Sequence, residues 1–397
     1  MRAFCPLPGL PSWAVNGLKK YCEGANVKNK NKEEIMELSP EEIEAEKLKR
    51  RKRARKKKVG TVIDRIFGFI LATGIMFGIA GLSLEFVLVK GPSEELKEIF
   101  VMTMLETRRF RFIPNIFLTE DEVDAIKHKK EQRTDVSLDT SMINIGAQTP
   151  EDGEEGSGEQ PQTLDYGDVD EDGDGVIIEE VKGSTYKGYL LTLLDPTRLF
   201  IGMPDQFGGA GLRVDQMCQK YGALGGMNGG GYYDPGGGGL GGTPEGLTII
   251  DGVIYDYGAE GGDAFVGYDA NGMLYIGYYT AQEALDLGVI SGVTFGPIIV
   301  MNGQVYDVDS SGLNPRSAIG QRADGAILML VLDGRQAHSA GAKYQDLADI
   351  MIDHGAVNAI NLDGGSSSSI WFNGEYINSC ASATGMSREM PTTFLFK

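Results

Sequence analysis

AINLDGG, residues 359–365, alternates apolar and polar side chains as a strand does, then delivers a carboxylate and two glycines in succession, with four serines behind them. A side chain at the exit of a strand held by a packed core is fixed in position, and flanking glycines let a ligand approach the backbone. Asp363 is therefore placed as a working group would be. The plain alternative is that Asp363-Gly364 is one more hairpin turn. Just upstream, KYQDLADIMIDHG (343–355) sets Tyr344, Leu347, Ile350 and Met351 on one helical face and stops at Gly355. Before it, AILMLVLD (326–333) is a nearly continuous apolar run, as for a strand covered on both faces. Strand, helix, strand predicts a crossover unit within a sheet.

Further out, Asp251-Gly252, Asn271-Gly272, Asn302-Gly303 and Asn373-Gly374 each sit beside β-rich runs, the strongest short-range hairpin signal. The predicted fold class is α+β, an antiparallel-rich β-sheet with flanking helices, preceded by a single transmembrane helix. The helix is read from Ile66 to Leu84, nineteen residues without a charge, enough at about 1.5 Å per residue to match a hydrocarbon core of about 30 Å. A run from Lys47 to Lys58 with ten basic residues among twelve precedes it, and positive charge stays on the cytoplasmic side. The expected layout is a cytoplasmic basic tail (1–60), a membrane anchor (61–90), a helical stalk and acidic linker (91–178) and an extracytoplasmic domain (179–397), single-pass in the cell membrane with the N-terminus inside. The net charge is -19, and -29 without the basic run; a nucleic-acid partner is not expected from such a balance.

In the stalk, Leu96, Ile99, Phe100 and Met104 share an apolar face, and Thr119 with Glu122 has the spacing of a capping box. Glu151–Glu180 holds thirteen acidic and no basic residues, the composition of a solvated linker. Within it, DVDEDGDGVIIE (168–179) can be laid on a calcium-loop template with Gly173 at the sixth position, although Gly175 stands at the eighth, where a β-branched residue is usual. Gly222–Gly242 has twelve glycines in twenty-one residues. The next segment, TPEGLTIIDGVIYD (243–256), reads as a hairpin. A hairpin there argues against a dinucleotide fingerprint, and leaves a loop of bare amides with Asn228 and Asp234, suited to an anionic or hydroxyl-rich ligand. Arg316 and Arg335 lie beside predicted strands, where a guanidinium can pair with a surface carboxylate or fork onto a phosphate.

The ordered set Asn228-Gly229-Gly230-Gly231-Tyr232-Tyr233-Asp234, Thr243-Pro244-Glu245-Gly246-Leu247, Phe295-Gly296-Pro297, Pro315-Arg316-Ser317-Ala318-Ile319-Gly320, Asp333-Gly334-Arg335, Ser339-Ala340-Gly341 and Asn361-Leu362-Asp363-Gly364-Gly365-Ser366-Ser367 resembles the phosphodiester glycosidase family over about residues 183–397. That family includes bacterial proteins of the exopolysaccharide biosynthesis type and an enzyme that removes N-acetylglucosamine from phosphomannose tags. It usually shows three glycines after the aspartate, and here the third is Ser366. The resemblance implies a hydrolase acting on a sugar linked through its anomeric carbon to phosphate. Such chemistry needs a carboxylate for the developing positive charge on the ring and cations for the departing phosphate. Asp363 is the first expectation for the carboxylate and Asp333 the second. Arg316 and Arg335 would serve the phosphate, Asn228 and Asn361 the sugar's polar groups, and Gly364, Gly365, Ser366 and Ser367 the phosphate approach, with Gly229, Gly230 and Asp234 completing the binding set.

Two functions remain open at this level: a membrane-anchored glycosidase acting on a carbohydrate or glycolipid of the cell surface, and a non-catalytic polysaccharide-binding component of an exopolysaccharide assembly system. No metal ligand is assigned; calcium is the cofactor to consider, since Asp234, Asn361 and Asp363 offer hard oxygens without a spacing that compels a site. A serine hydrolase using Ser366 or Ser367 with His338 lacks the Gly-x-Ser-x-Gly elbow. His354 suits the end of its helix, and Cys218 and Cys380 are the extracytoplasmic thiols available to pair.

Overall fold

The uncharged run lies in α1 (Pro40–Lys90), whose stretch Val62–Lys90 is one helix long and apolar enough to cross a membrane. Its Phe67, Phe69 and Phe77 stand exposed. The computed structural model describes residues 40–107, 110–127, 136–145, 166–167, 169–235, 240–308, 311–382 and 384–397. The chain divides into two compact units, Met1–Leu84 and Glu85–Lys397.

The second unit begins with helices. α2 (Glu94–Glu106) and α3 (Glu120–Lys127) close a small core of Val89, Val101, Leu118, Val123 and Ile126. The capping box forms as the spacing predicts: Thr119 N–H donates to Glu122 Oε2 at 2.8 Å and Glu122 N–H to Thr119 Oγ1 at 3.2 Å. The expected apolar face of α2 is only partly right, because Leu96 is exposed while Val101 is buried. These helices belong to the same compact unit as the sheets, so the stalk is continuous with the domain it was expected to carry.

Strands make up most of the remainder. β1 (Val176–Lys182), β2 (Lys187–Leu193) and β3 (Leu199–Gly202) precede α4 (Val214–Tyr221) and β4 (Gly225–Asn228). β5 (Thr248–Ile250) to β6 (Val253–Asp256) and β7 (Asp263–Tyr268) to β8 (Leu274–Tyr279) are hairpins, leading to α5 (Ala281–Asp286) and β9 (Ser291–Thr294). β10 (Ile298–Met301), β11 (Gln304–Val305), β12 (Arg316–Arg322) and β13 (Ile327–Leu332) lead to α6 (Tyr344–Asp353) and β14 (Ala356–Leu362). β15 (Ile370–Phe372), β16 (Glu375–Tyr376) and β17 (Thr393–Phe396) finish the chain. All four Asx-Gly pairs close hairpins. Asp251, Asn302 and Asn373 take the left-handed backbone there, as the matching turn requires. β1 starts inside the acidic stretch, so the linker ends earlier than its composition suggests.

Three antiparallel sheets result, in the orders β1-β2-β13-β12-β14-β10-β11, β16-β15-β4-β17-β3 and β6-β5-β9-β7-β8. The crossover is present: β13 and β14 are both antiparallel to β12 and so parallel to each other, with α6 between them in sequence. Ile327, Met329 and Val331 face the core shared with the five-stranded sheets, and Leu328, Leu330 and Leu332 face α6. Burying each of these side chains contributes about 1.5–3 kcal/mol, which holds β12 and β14 rigidly where the site is built. α6 buries Leu347, Ala348, Ile350 and Met351, and Gly355 lies just beyond it with φ of 82°.

Cys218 and Cys380 do not pair; both are buried and free, and burial pushes each thiol from 9.0 up to about 12. Burial likewise pushes Tyr232 and Tyr376 from 10.0 up to about 12. With folded values above unfolded ones, this share of stability is complete below the unfolded pKa values, about 8.5 for the thiols, and is lost as pH rises. The melting temperature should therefore fall progressively between roughly pH 9 and pH 12. Maleimide at neutral pH should leave Cys218 and Cys380 unlabelled in native protein and label both in denaturant, as mass spectrometry of tryptic peptides will show.

Candidate active site

Asp363 leaves the seven-stranded sheet at the end of β14, half-buried. It is not a hairpin residue: the chain passes directly into a short 3-10 turn, Gly365–Ser367. Its N–H donates to Gly229 O at 3.4 Å, its carbonyl accepts from Asn228 Nδ2 at 2.7 Å, and one carboxylate oxygen accepts the Gly364 N–H at 3.0 Å. The carboxylate is thus held by the backbone amide next to it, which orients the group.

Asn228 makes this placement possible. Wholly buried, its Oδ1 accepts from Ser317 Oγ at 2.8 Å and from Ser369 N–H at 3.1 Å while Nδ2 holds Asp363 O. The expectation that Asn228 binds sugar is not met, because these three bonds use its amide for joining β4, β12 and the loop after β14. Gly229 and Gly230 depart from expectation for a related reason. Their amides donate to Thr392 O and Thr392 Oγ1, and a Cβ on either would lie within 2.7 Å of Thr392 or Thr294, so their smallness serves the chain's own packing.

Around Asp363 stand three groups that feel its charge: Tyr232, Arg335 and Arg388. Tyr232 is buried with its hydroxyl 3.4 Å from Ser367 Oγ, and burial, then the Asp363 charge, keep it protonated. Arg388 donates from Nη1 to Asp234 Oδ2 at 2.8 Å and lies 5.4 Å from the Tyr232 ring centre. Desolvation opposes the Arg388 charge, but the hydrogen bond to Asp234, with the negative charges of Asp234 and Asp363, outweighs it and holds the pKa above the ordinary arginine value. Asp234 is therefore a buried counter-ion rather than a ligand contact. Arg388 was missed in the sequence because it is preceded by no strand signal and belongs to none of the matched motifs. Arg335 has a left-handed backbone, φ 57°, and its Nη1 lies 3.1 Å from where a Cβ of Gly365 would be. Desolvation, then the like charge of Arg316, lower its pKa against the pull of Glu106 and Asp363. A non-glycine residue held in that backbone region is the kind of strain that gathers at functional sites.

The remaining expected residues have other work. Asp333, buried, accepts from Asn378 Nδ2 and Ser379 N–H at 3.0 Å each and lies 3.2 Å from His338 Nε2; it organises the loop beneath the 3-10 turn instead of facing a substrate. The histidine is thereby paired with Asp333 rather than with Ser366 or Ser367. Arg316 is buried against Glu106 Oε2 at 2.7 Å, Gly312 O at 2.9 Å and Ala342 O at 3.2 Å, with Tyr344 4.1 Å across its face, which removes it from the phosphate role. Asn361 donates from Nδ2 to Gly296 O at 2.7 Å, and its Oδ1 is buried without a hydrogen bond among the described residues. Gly365 donates to Pro315 O, and Gly364 lies close against the same carbonyl. Ser366 is half-buried at the loop's crest. Of the calcium template, Asp168 lies outside the described residues; Asp170 and Asp172, its third and fifth positions, and Asp174 bring carboxylate oxygens within 4.8 Å of one another ahead of β1. A cavity of about 630 Å³ lined by Thr140, Asn144, Thr197, Asp269 and Tyr275 shares no lining residue with the groups around Asp363.

A mixed α+β domain with a half-buried carboxylate at a strand end, its charge felt by two guanidinium groups, is the class of protein the structure defines. Residues 221–397 match the family model for phosphodiester glycosidases. The chain is 34% identical over 145 residues to a SPbeta prophage-derived uncharacterized protein of Bacillus subtilis, covering 34% of this chain and 22% of that one. It is 25% identical over 225 residues to the N-acetylglucosamine-1-phosphodiester alpha-N-acetylglucosaminidase of Mus musculus, covering 50% of this chain and 42% of the relative. The catalytic domain of the zebrafish enzyme of that name, solved auto-inhibited by its pro-peptide, superimposes with a TM-score of 0.47 at 21% identity, over 56% of this chain and 81% of that one. The chain thus spans less than half the length of the Bacillus subtilis and Mus musculus relatives.

Replacing Asn228 with Ala would orphan two buried partners, Ser317 and Ser369, and the part-buried carbonyl of Asp363, each buried one worth about 1–3 kcal/mol when left unsatisfied. Asn228→Ala should therefore lower the denaturation free energy by about 3 kcal/mol or more, measured by urea titration.

Proposed function

We propose that the domain hydrolyses a glycosyl-phosphate diester, the sugar being of the N-acetylglucosamine class named for its mammalian relatives. The observation that carries this reading is the half-buried Asp363 carboxylate within charge range of both Arg335 and Arg388. In the reaction the bond between the anomeric carbon and the phosphate oxygen breaks, its electron pair leaving with the phosphomonoester. A phosphomonoester departs as an anion and needs little protonation, so fixed guanidinium charge is the fitting aid. Asp363 supplies negative charge to the oxocarbenium-like ring, and water adds its oxygen to the anomeric carbon and loses one proton to solvent. Arg335, with its Nη1 edge toward the Gly365 turn, suits the phosphate; Arg388, neutralised by Asp234 and lying against Tyr232, suits the wall that orients the sugar.

The helix Val62–Lys90 supports membrane association, and we place the site outside a cell membrane with a single span and the basic run inside. The substrate would then be a cell-surface glycan or glycolipid.

Full-length protein in detergent, given methyl phosphate esterified to the anomeric oxygen of α-N-acetylglucosamine, should release free sugar and methyl phosphate. Asp363→Asn should cut kcat by about a thousandfold with substrate affinity retained by calorimetry. Folded wild-type protein that binds the diester and leaves it intact would instead identify a polysaccharide-binding component and sink the hydrolase reading.

A further inference from the structure

Arg335 owes its geometry to a residue far outside the family-matched region. Glu106 ends α2, and its carboxylate enters the loop before β12: Oε2 accepts from Arg316 Nη2 at 2.7 Å and from Asn314 Nδ2 at 2.5 Å, and Oε1 accepts from Gly312 N–H at 3.3 Å. Thr103, one turn earlier, accepts from Leu313 N–H at 2.9 Å. The fit is close enough that a Cβ on Gly312 would lie 2.2 Å from Thr103 N, so α2 is seated in the loop rather than resting on it.

The consequence passes through Asn314. A primary amide has one donor end and one acceptor end. With its NH2 end committed to Glu106, its Oδ1 must face the other way, where it accepts from both Arg335 Nε at 3.2 Å and Arg335 Nη2 at 2.8 Å. Thr107 Oγ1 accepts from the same Nη2 at 3.2 Å. A planar guanidinium held along its Nε and Nη2 edge has its orientation fixed, and the edge left over is Nη1, the one directed at the Gly365 turn.

We infer that Glu106 is a positioning residue, acting through Asn314 to aim the Nη1 edge of Arg335 at the phosphate group of the substrate. This rests on the phosphoester reading of the same site. Glu106 also balances the buried Arg316 charge, so a purely structural role is the competing account and the test must separate the two.

The probe is inorganic phosphate, titrated calorimetrically into full-length protein in detergent, with melting temperature recorded for every variant and turnover of the N-acetylglucosamine diester measured in parallel. Glu106→Ala should weaken phosphate binding and lower kcat/KM by about 10- to 100-fold, the scale on which a displaced positioning group acts. Glu106→Gln keeps an acceptor for Asn314 and should recover part of the loss. Asn314→Ala breaks the link while leaving Glu106 on Arg316, and it should reproduce the loss of phosphate affinity. Glu106→Ala combined with Asn314→Ala should be no worse than the poorer single variant, since both interrupt one path. The inference is overturned if wild-type protein does not bind phosphate, or if Asn314→Ala melts with its affinity unchanged. Phosphate binding that falls in the variants of a protein that never cleaves the diester would uphold the positioning role and reject the hydrolase reading alone.

Discussion

A single buried amide ties the structure together at the site. Asn228 lies at the end of β4 in one sheet, Ser317 near the start of β12 in another, and Asp363 and Ser369 on the two sides of the turn after β14; the Asn228 side chain bonds to all three. Each bond is ordinary in strength, but those to Ser317 and Ser369 are out of water, where an unmade bond is costly. The amide has two chemically distinct ends, so the arrangement admits one relative placement of β4, β12 and the loop. The position of Asp363 results from that placement, because its carbonyl is one of the three partners.

Charge is arranged on the same plan. The site holds three arginines, and each has a defined partner set that leaves it a different function. Arg316 is fully engaged by Glu106, by carbonyls and by Tyr344, and acts as framework. Arg388 is balanced by Asp234, so its field is directed rather than free. Arg335 is held along one edge by Asn314 and Thr107 and presents the other. A carboxylate set among such groups experiences preorganised charge, which costs no rearrangement as a reaction proceeds.

The features legible in the sequence were local. Asn302-Gly303 and its counterparts fix their turns by backbone preference alone, and the period of 326–333 and the face of 344–353 announce a covered strand and its helix. The exit of β14 at Asp363 was legible for the same reason. The division of labour among polar residues was not. In the one-dimensional chain, a buried asparagine that bonds three segments looks the same as one that binds a sugar, and Asp333 beneath the turn looks the same as Asp363 at its mouth. Glu106 and Arg316 are separated by 210 residues, and no periodicity links them; only the folded chain shows that the helices ahead of the acidic stretch complete the domain. Arg388 stands in a segment with no strand pattern, so only proximity to Asp234 and Tyr232 reveals it.

Three of the outer strands have a consequence for how neighbouring copies meet. β11 and β16 are two residues each, and the β1 edge carries Glu179, Glu180 and Lys182. Short or charged rims give a neighbouring copy little template for adding its own strand. A neighbouring copy therefore finds little to pair with along β1, β11 or β16.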